Sequence, residues 1–210
     1  MSVKAVPATA PASEKPRVRD RIFDTACDLF YRHGIRAVGV DAIANEAGTN
    51  KMSFYRSFAS KEELVAEYLK DKVREYWMWW DETIAPYAGD ARRQVEALFD
   101  SYLDLARMKS KADTGCKTSR GCALGNASVE IPDDNDMLGD IVHAYKAEIR
   151  RRLRKLAREM GAREADALGD ALMLLMEGGY YTRLTFPCNT GPVAAIVKAA
   201  RSLIDAHARA

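Results

Sequence analysis

Between Thr49 and Lys61 the chain reads TNKMSFYRSFASK. These residue types suit contact with a nucleic acid better than chemistry on a small reactant. Phe54 and Phe58 stand four apart and share a buried face with Tyr55 if the stretch is helical. That leaves Asn50, Lys51, Ser53, Arg56 and Ser57 facing outward. Reading base edges in a major groove requires hydrogen-bond donors or methyl groups near the N-terminal end of such a helix. Asn50, Lys51, Met52 and Ser53 occupy that end, with Thr49 at the expected cap, and Tyr55, Arg56 and Lys61 lie further along. Just upstream, Val40, Ile43, Ala44 and Ala47 recur at helical spacing, and Gly48 supplies the turn. Helix, glycine turn and polar, basic second helix make up a helix-turn-helix plan, the second helix entering a DNA groove.

Other chemistries find little support. No Ser, His and Asp stand in a catalytic motif, and there is neither a phosphate-cradling glycine loop nor a paired acid site. The expectation is therefore no enzyme, no catalytic residue and no cofactor. Four cysteines are too few for a disulfide framework in 210 residues. No CxxC pair occurs, and the three histidines lack ligand spacing, so no metal site is expected.

The elements that must hold the polar helix follow from periodicity. Residues 1–16, rich in Ala, Pro, Ser and Thr, read as a mobile arm. Its end brings Lys15, Arg17 and Arg19 within possible reach of phosphates. Residues 17–60 read as a three-helix DNA-binding domain, whose first helix, Arg17–His33, buries Ile22, Phe23, Ala26, Leu29 and Phe30. Residues 61–210 read as a larger helical domain. Ser60-Lys61-Glu62-Glu63 has capping-box spacing and opens a helix over Lys61–Asp81. Further helices are expected over Ala91–Lys109, Cys122–Ile131, Met137–Met160, Arg163–Phe186 and Val193–His207. No stretch alternates as a strand does, so the fold class is all-α. The last two helices have wide apolar arcs and small residues at Ala167, Gly169, Ala171, Gly178 and Gly179. A two-fold four-helix interface, and hence a homodimer, is the natural outcome.

Charge agrees. The net charge is only +2, yet Lys15–Lys61 carries nine Lys/Arg against five Asp/Glu. A basic head on a near-neutral body fits DNA contact through one end. No signal-peptide pattern or membrane-length apolar run is present, so a cytoplasmic protein with reduced thiols and no membrane contact is expected.

The order Ala26-Cys27-Asp28-Leu29-Phe30, His33-Gly34, Val40-Asp41-Ala42-Ile43-Ala44, Ala47-Gly48, Ser53-Phe54-Tyr55-Arg56-Ser57-Phe58 and Lys61-Glu62-Glu63-Leu64 is specific. Over Arg19–Leu69 the chain resembles the DNA-binding domain of the TetR family of bacterial transcriptional repressors. The resemblance implies a homodimer joined through its last two helices, a palindromic double-stranded operator, and release by a small-molecule effector held in the second domain. It divides the roles as bases for Asn50, Lys51, Met52 and Ser53, and phosphates for Tyr55, Arg56 and Lys61. For the effector, expected to be apolar or aromatic, the lining candidates are Trp77, Trp80, Phe99, Tyr102, Tyr145, Met173, Met176, Glu177 and Tyr181, with Met108 beside them. The segment Gly121-Cys122-Ala123-Leu124-Gly125-Asn126 looks like one from relatives that sense oxidants or electrophiles. Cys122, at an expected helix N-terminus, is thus a possible thiol sensor, with Cys116 as its resolving partner. The competing readings are an inert structural cysteine at Cys122, and a head turned into a DNA-scaffolded protein-interaction module.

Overall fold

The computed structural model describes the backbone of residues 16–112, 121–131, 135–182, 184–186 and 191–208, and the side chains of these apart from residues 102–112. The arm at residues 1–15, Cys116 and the side chains of Tyr102 and Met108 fall outside the described residues. Every regular element described is helical: α1 Val18–His33, α2 Val40–Glu46, α3 Lys51–Ser57, α4 Lys61–Ile84, α5 Ala91–Ala112, α6 Ala123–Glu130, α7 Asp136–Glu159, α8 Ala165–Thr182 and α9 Ile196–Ala206. Short 3₁₀ turns follow α4 and precede α9.

Local chemistry sets these boundaries. α1 ends at Gly34, whose φ of 89° is open to glycine and strained for other residues. α2 ends ahead of Gly48, at φ 65°. The cap forms where its spacing places it: Ser60 Oγ accepts from Glu63 N at 3.0 Å, while the Glu63 carboxylate reaches back one residue past the N-cap and accepts from Ala59 N at 2.5 Å. α8 stops four residues short of the expected Phe186, and α9 starts after a 3₁₀ turn opened by Pro192.

α1, α2 and α3 pack around Ile22, Ala26, Leu29, Phe30, Val38, Ile43, Phe54 and Phe58, all buried. α4 carries the same core onward into the larger bundle through Leu64, Val65, Tyr68, Leu69 and Trp80. Each such apolar side chain contributes about 1.5–3 kcal/mol when fully buried. The four aromatics of the run Tyr76-Trp77-Met78-Trp79-Trp80 are buried or half-buried because neighbours cover α4 on several sides, while Met78 is exposed. Trp79 Nε1 donates to Ser101 Oγ at 3.1 Å, Tyr76 meets Tyr145 edge-on at 5.0 Å, and the Arg152 guanidinium lies 4.1 Å from the Trp77 ring centre.

The arginine face of α7 is not simply solvated, as a charge run usually is. Arg150 and Arg154 both grip Asp170 of α8 with paired hydrogen bonds of 2.5–2.8 Å, and Arg154 and Arg158 reach Asp166. Gly169 lets these helices close up, since a Cβ there would lie 2.7 Å from the Arg154 backbone. Gly169 therefore serves packing within the chain rather than approach by a second copy. Gly178 has open space instead, on an α8 face shared with exposed Ala167, Leu174 and Tyr181.

Candidate nucleic-acid interface

α3 is only seven residues long, so its direction depends on its ends and its buried rings. Phe54 is fully buried and lies 5.9 Å from Phe58, centre to centre. The turn before it is tied by Thr49 N donating to Ala44 O at 2.9 Å and by Arg21 Nε donating to Ala47 O at 3.3 Å. The opposite face of α3 is open. Lys51 and Arg56 are exposed, Met52 is 72% exposed and Tyr55 is 49% exposed. An apolar side chain held out to that extent among donors suits a thymine methyl, and the cations suit phosphates.

Five side chains differ from expectation. Tyr55, expected on the buried face with Phe54 and Phe58, points away from it and is exposed, touching Phe54 only by a ring edge. The N-cap of α3 is Asn50 and not Thr49: Asn50 Oδ1 accepts from Ser53 N at 2.9 Å. Extended backbone at Asn50 lets its amide oxygen reach the third N–H of the helix, a geometry one residue too distant for Thr49. This commits Oδ1 of an otherwise exposed Asn50 to the helix. Lys61 is turned inward, its Nζ donating to Ile35 O at 2.6 Å. Burial lowers its pKa, opposed by the nearby Glu130 charge. It ties the α1–α2 loop to α4 rather than standing free as a phosphate arm. Arg19 is drawn onto the Phe58 ring at 4.6 Å and paired with Glu67, so it belongs to the head's own packing. Lys51 meets Asp41 at 3.3 Å across α2 and α3. Both are well exposed, and such a pair contributes little and can yield to a phosphate or base.

Among the described residues, the expected effector-lining side chains differ in burial. Trp80, Phe99, Tyr145 and Met176 are buried against one another and their neighbours; Trp77, Met173 and Glu177 are half-buried, and Tyr181 is exposed. Lys146 Nζ pairs with Glu177 at 2.5 Å, and Tyr76 Oη lies 3.5 Å from Met176 Sδ. A cleft of about 580 Å³ opens between the α4–α5 turn and α7, lined by Trp80 of the expected set and by Ile84, Gln94, Arg152, Lys155 and Leu156 among others. Periodicity identified the apolar side chains but could not tell rings that fill a core from rings that bound a cavity.

Two thiols are described. Cys27 lies within the head, where burial pushes its pKa up to about 12. Cys122 is half-buried and is the N-cap of α6, its Sγ accepting from Gly125 N at 3.4 Å and lying 4.0 Å from Tyr145 Oη. At the other end of α6, Glu130 reaches the α1–α2 loop: Arg36 N donates to its carboxylate at 2.9 Å. Sequence reasoning gave this contact no role, because no spacing rule links residues 94 apart. Among the described residues no group of His, Cys, Asp and Glu is placed to hold a metal, and no helix is long and apolar enough to cross a membrane.

Residues 22–68, from the middle of α1 into α4, match the description "Bacterial regulatory proteins, tetR family". The HTH-type transcriptional repressor SCO4008 of Streptomyces coelicolor is 39% identical over 62 residues, 30% of this chain and 32% of that protein. The HTH-type transcriptional repressor KstR2 of Rhodococcus jostii is 35% identical over 92 residues, 44% of this chain and 45% of that protein. The chain thus spans less than half the length of the curated relatives it matches. Structural likeness extends further. SCO4454, a TetR-family transcriptional regulator from Streptomyces coelicolor, superposes with a TM-score of 0.80 and 25% identity, over 91% of this chain and 90% of that one. The head thus matches the TetR family of bacterial regulatory proteins in sequence, and the described helices of the chain share the fold of a TetR-family transcriptional regulator.

Proposed function

We propose that the chain is a cytoplasmic, homodimeric DNA-binding repressor of transcription that leaves a palindromic operator when a small apolar or aromatic effector binds the second domain. The observation that carries the DNA-binding part is the open face of α3, where Lys51, Met52, Tyr55 and Arg56 project while Phe54 is fully buried. Asn50 Nδ2, Lys51, Met52 and Ser53 read bases; Tyr55 and Arg56 hold phosphates. The dimer rests on the α8 face bearing Ala167, Leu174, Gly178 and Tyr181, together with α9: Leu174 is 72% exposed, an unusual position for leucine on a stable monomer's helix. Selection of duplexes from a random pool by the full chain tests the reading. Recovery of one palindromic site supports it. Indifferent binding to all duplexes favours a scaffold role, and no binding removes it.

A second reading for the signal is a thiol switch at Cys122. It is favoured by the sulfur's place as the N-cap of α6, the helix whose far end touches the head. Operator binding by wild type and Cys122→Ser with and without a mild alkylator distinguishes the two: loss confined to wild type assigns the signal to the thiol.

A further inference from the structure

The DNA-binding head meets the rest of the chain through α4, which is continuous with it, and through a second contact made by α6. Tyr31 Oη of α1 lies 3.5 Å from Gly121 O, just before α6. At the opposite end of α6 the Glu130 carboxylate accepts from Arg36 N at 2.9 Å. Gly34 is pressed against the same carboxylate: a Cβ there would sit 2.8 Å from both oxygens. On the other side of the loop, Lys61 Nζ holds Ile35 O at 2.6 Å. The seam between α6 and the head, bounded by Phe30, Tyr31, Ile35 and Tyr68, leaves only about 10 Å³. So the loop Gly34–Gly39, which launches α2 and with it the turn into α3, is gripped from two sides by a carboxylate and an ammonium.

We propose that Glu130 is a positioning residue for DNA binding, fixing the α1–α2 loop and hence the direction of α2 and α3 without touching DNA itself. The proposal rests on the DNA-binding reading above. Its geometry is local: a hydrogen bond to an ionised acceptor is among the stronger kinds, and its loss frees a backbone amide that has few other partners in a short loop. The glycine at position 34 belongs to the same device, because only a residue without Cβ lets the carboxylate approach the loop so closely.

The test compares wild type, Glu130→Gln and Glu130→Ala as full chains. Hydrogen exchange in the absence of DNA is read at the Arg36 amide. Glu130→Ala is expected to speed that exchange by about tenfold or more, with the amides of α1 and α9 unchanged. Glu130→Gln, which keeps an acceptor oxygen, is expected to recover much of the protection. Titration with the duplex selected by wild type then reads binding. Glu130→Ala is expected to bind severalfold more weakly, with the same base preference and the same salt slope, because no phosphate contact is lost. Unchanged exchange at Arg36 overturns the proposal, as does faster exchange with unchanged DNA affinity, or a reduced salt slope that makes the effect electrostatic. Failure of the underlying reading is separable: wild type itself would then select no duplex.

Discussion

The start of α3 is held by Asn50, and substitution there separates capping from base reading. Its Oδ1 caps α3, a helix of seven residues and about 10 Å. Removing an N-cap costs about 1 kcal/mol, which corresponds to about a fivefold change in an equilibrium constant. Asn50→Ala is therefore expected to bind every duplex about fivefold more weakly, where the ordering of α3 is part of binding, and to speed exchange of the Ser53 amide that the cap holds. Asn50→Ser, an equally good cap without Nδ2, is expected to restore the Ser53 protection and most of the affinity, leaving only the loss of the single base contact from Nδ2. If Asn50 instead reads one base through a bidentate pair, Asn50→Ser keeps the amide protected yet loses about 1–3 kcal/mol of discrimination at a single base pair. The assay is a set of fluorescence titrations with the selected duplex and its single-base variants, paired with hydrogen exchange at Ser53. Undiminished Ser53 protection in Asn50→Ala refutes the capping argument outright.

Three further outcomes are expected. Leu174→Arg places a charge on the open face of α8 and should give a folded monomer at micromolar concentration by light scattering, where wild type is a dimer; a dimeric variant moves the interface elsewhere. The arginine neighbours of Glu148 hold its carboxyl down at about 2, and those of Asp170 hold that group well below the usual carboxylate range. Both are depressed pKa values, so each contribution is present above the group's ordinary pKa and lost as pH falls through its folded one, a window from about 4.5 down to about 2 for Glu148 and lower for Asp170. Acid unfolding of Asp170→Asn should accordingly be less steep than that of wild type, by an amount that shrinks with added salt. Finally, a small alkylator applied to the folded chain at neutral pH should modify Cys122 well before Cys27, read by peptide mass mapping; equal rates, or Cys27 first, contradict the contrast drawn between the two thiols.

Much of the head was legible because its signals are local. Gly34 and Gly48 end helices at positive φ, Ser60 and Glu63 cap α4, and Phe54 and Phe58 turn inward on the 3.6-residue period. All nine described α-helices were expected within a few residues, the largest difference lying at the end of α8. What escaped were interactions set by the assembled tertiary structure. Lys61 matches a phosphate-contact position in sequence, yet the backbone carbonyl of Ile35, 26 residues earlier, claims its ammonium. Arg150, Arg154 and Arg158 look like a solvated stripe until α8 brings Asp166 and Asp170 alongside. Tyr145 and Met176 look equally suited to a cavity wall and a core, and the sequence could not foretell that both are buried in this structure. Thr49 and Asn50 are both good caps by type, and one residue of register decides between them.

The central claim is that two α3 helices of one dimer enter successive major grooves of a single palindromic site. Hydroxyl-radical footprinting of the selected duplex, with the mass of the complex measured in parallel, tests it most directly. Two chains, or a multiple of two, are expected per site, with two symmetric protected patches centred about one helical turn apart. Tyr55→Phe should weaken both patches equally and leave their spacing unchanged. A single protected patch with one bound chain, or protection spread evenly along the duplex, would contradict it.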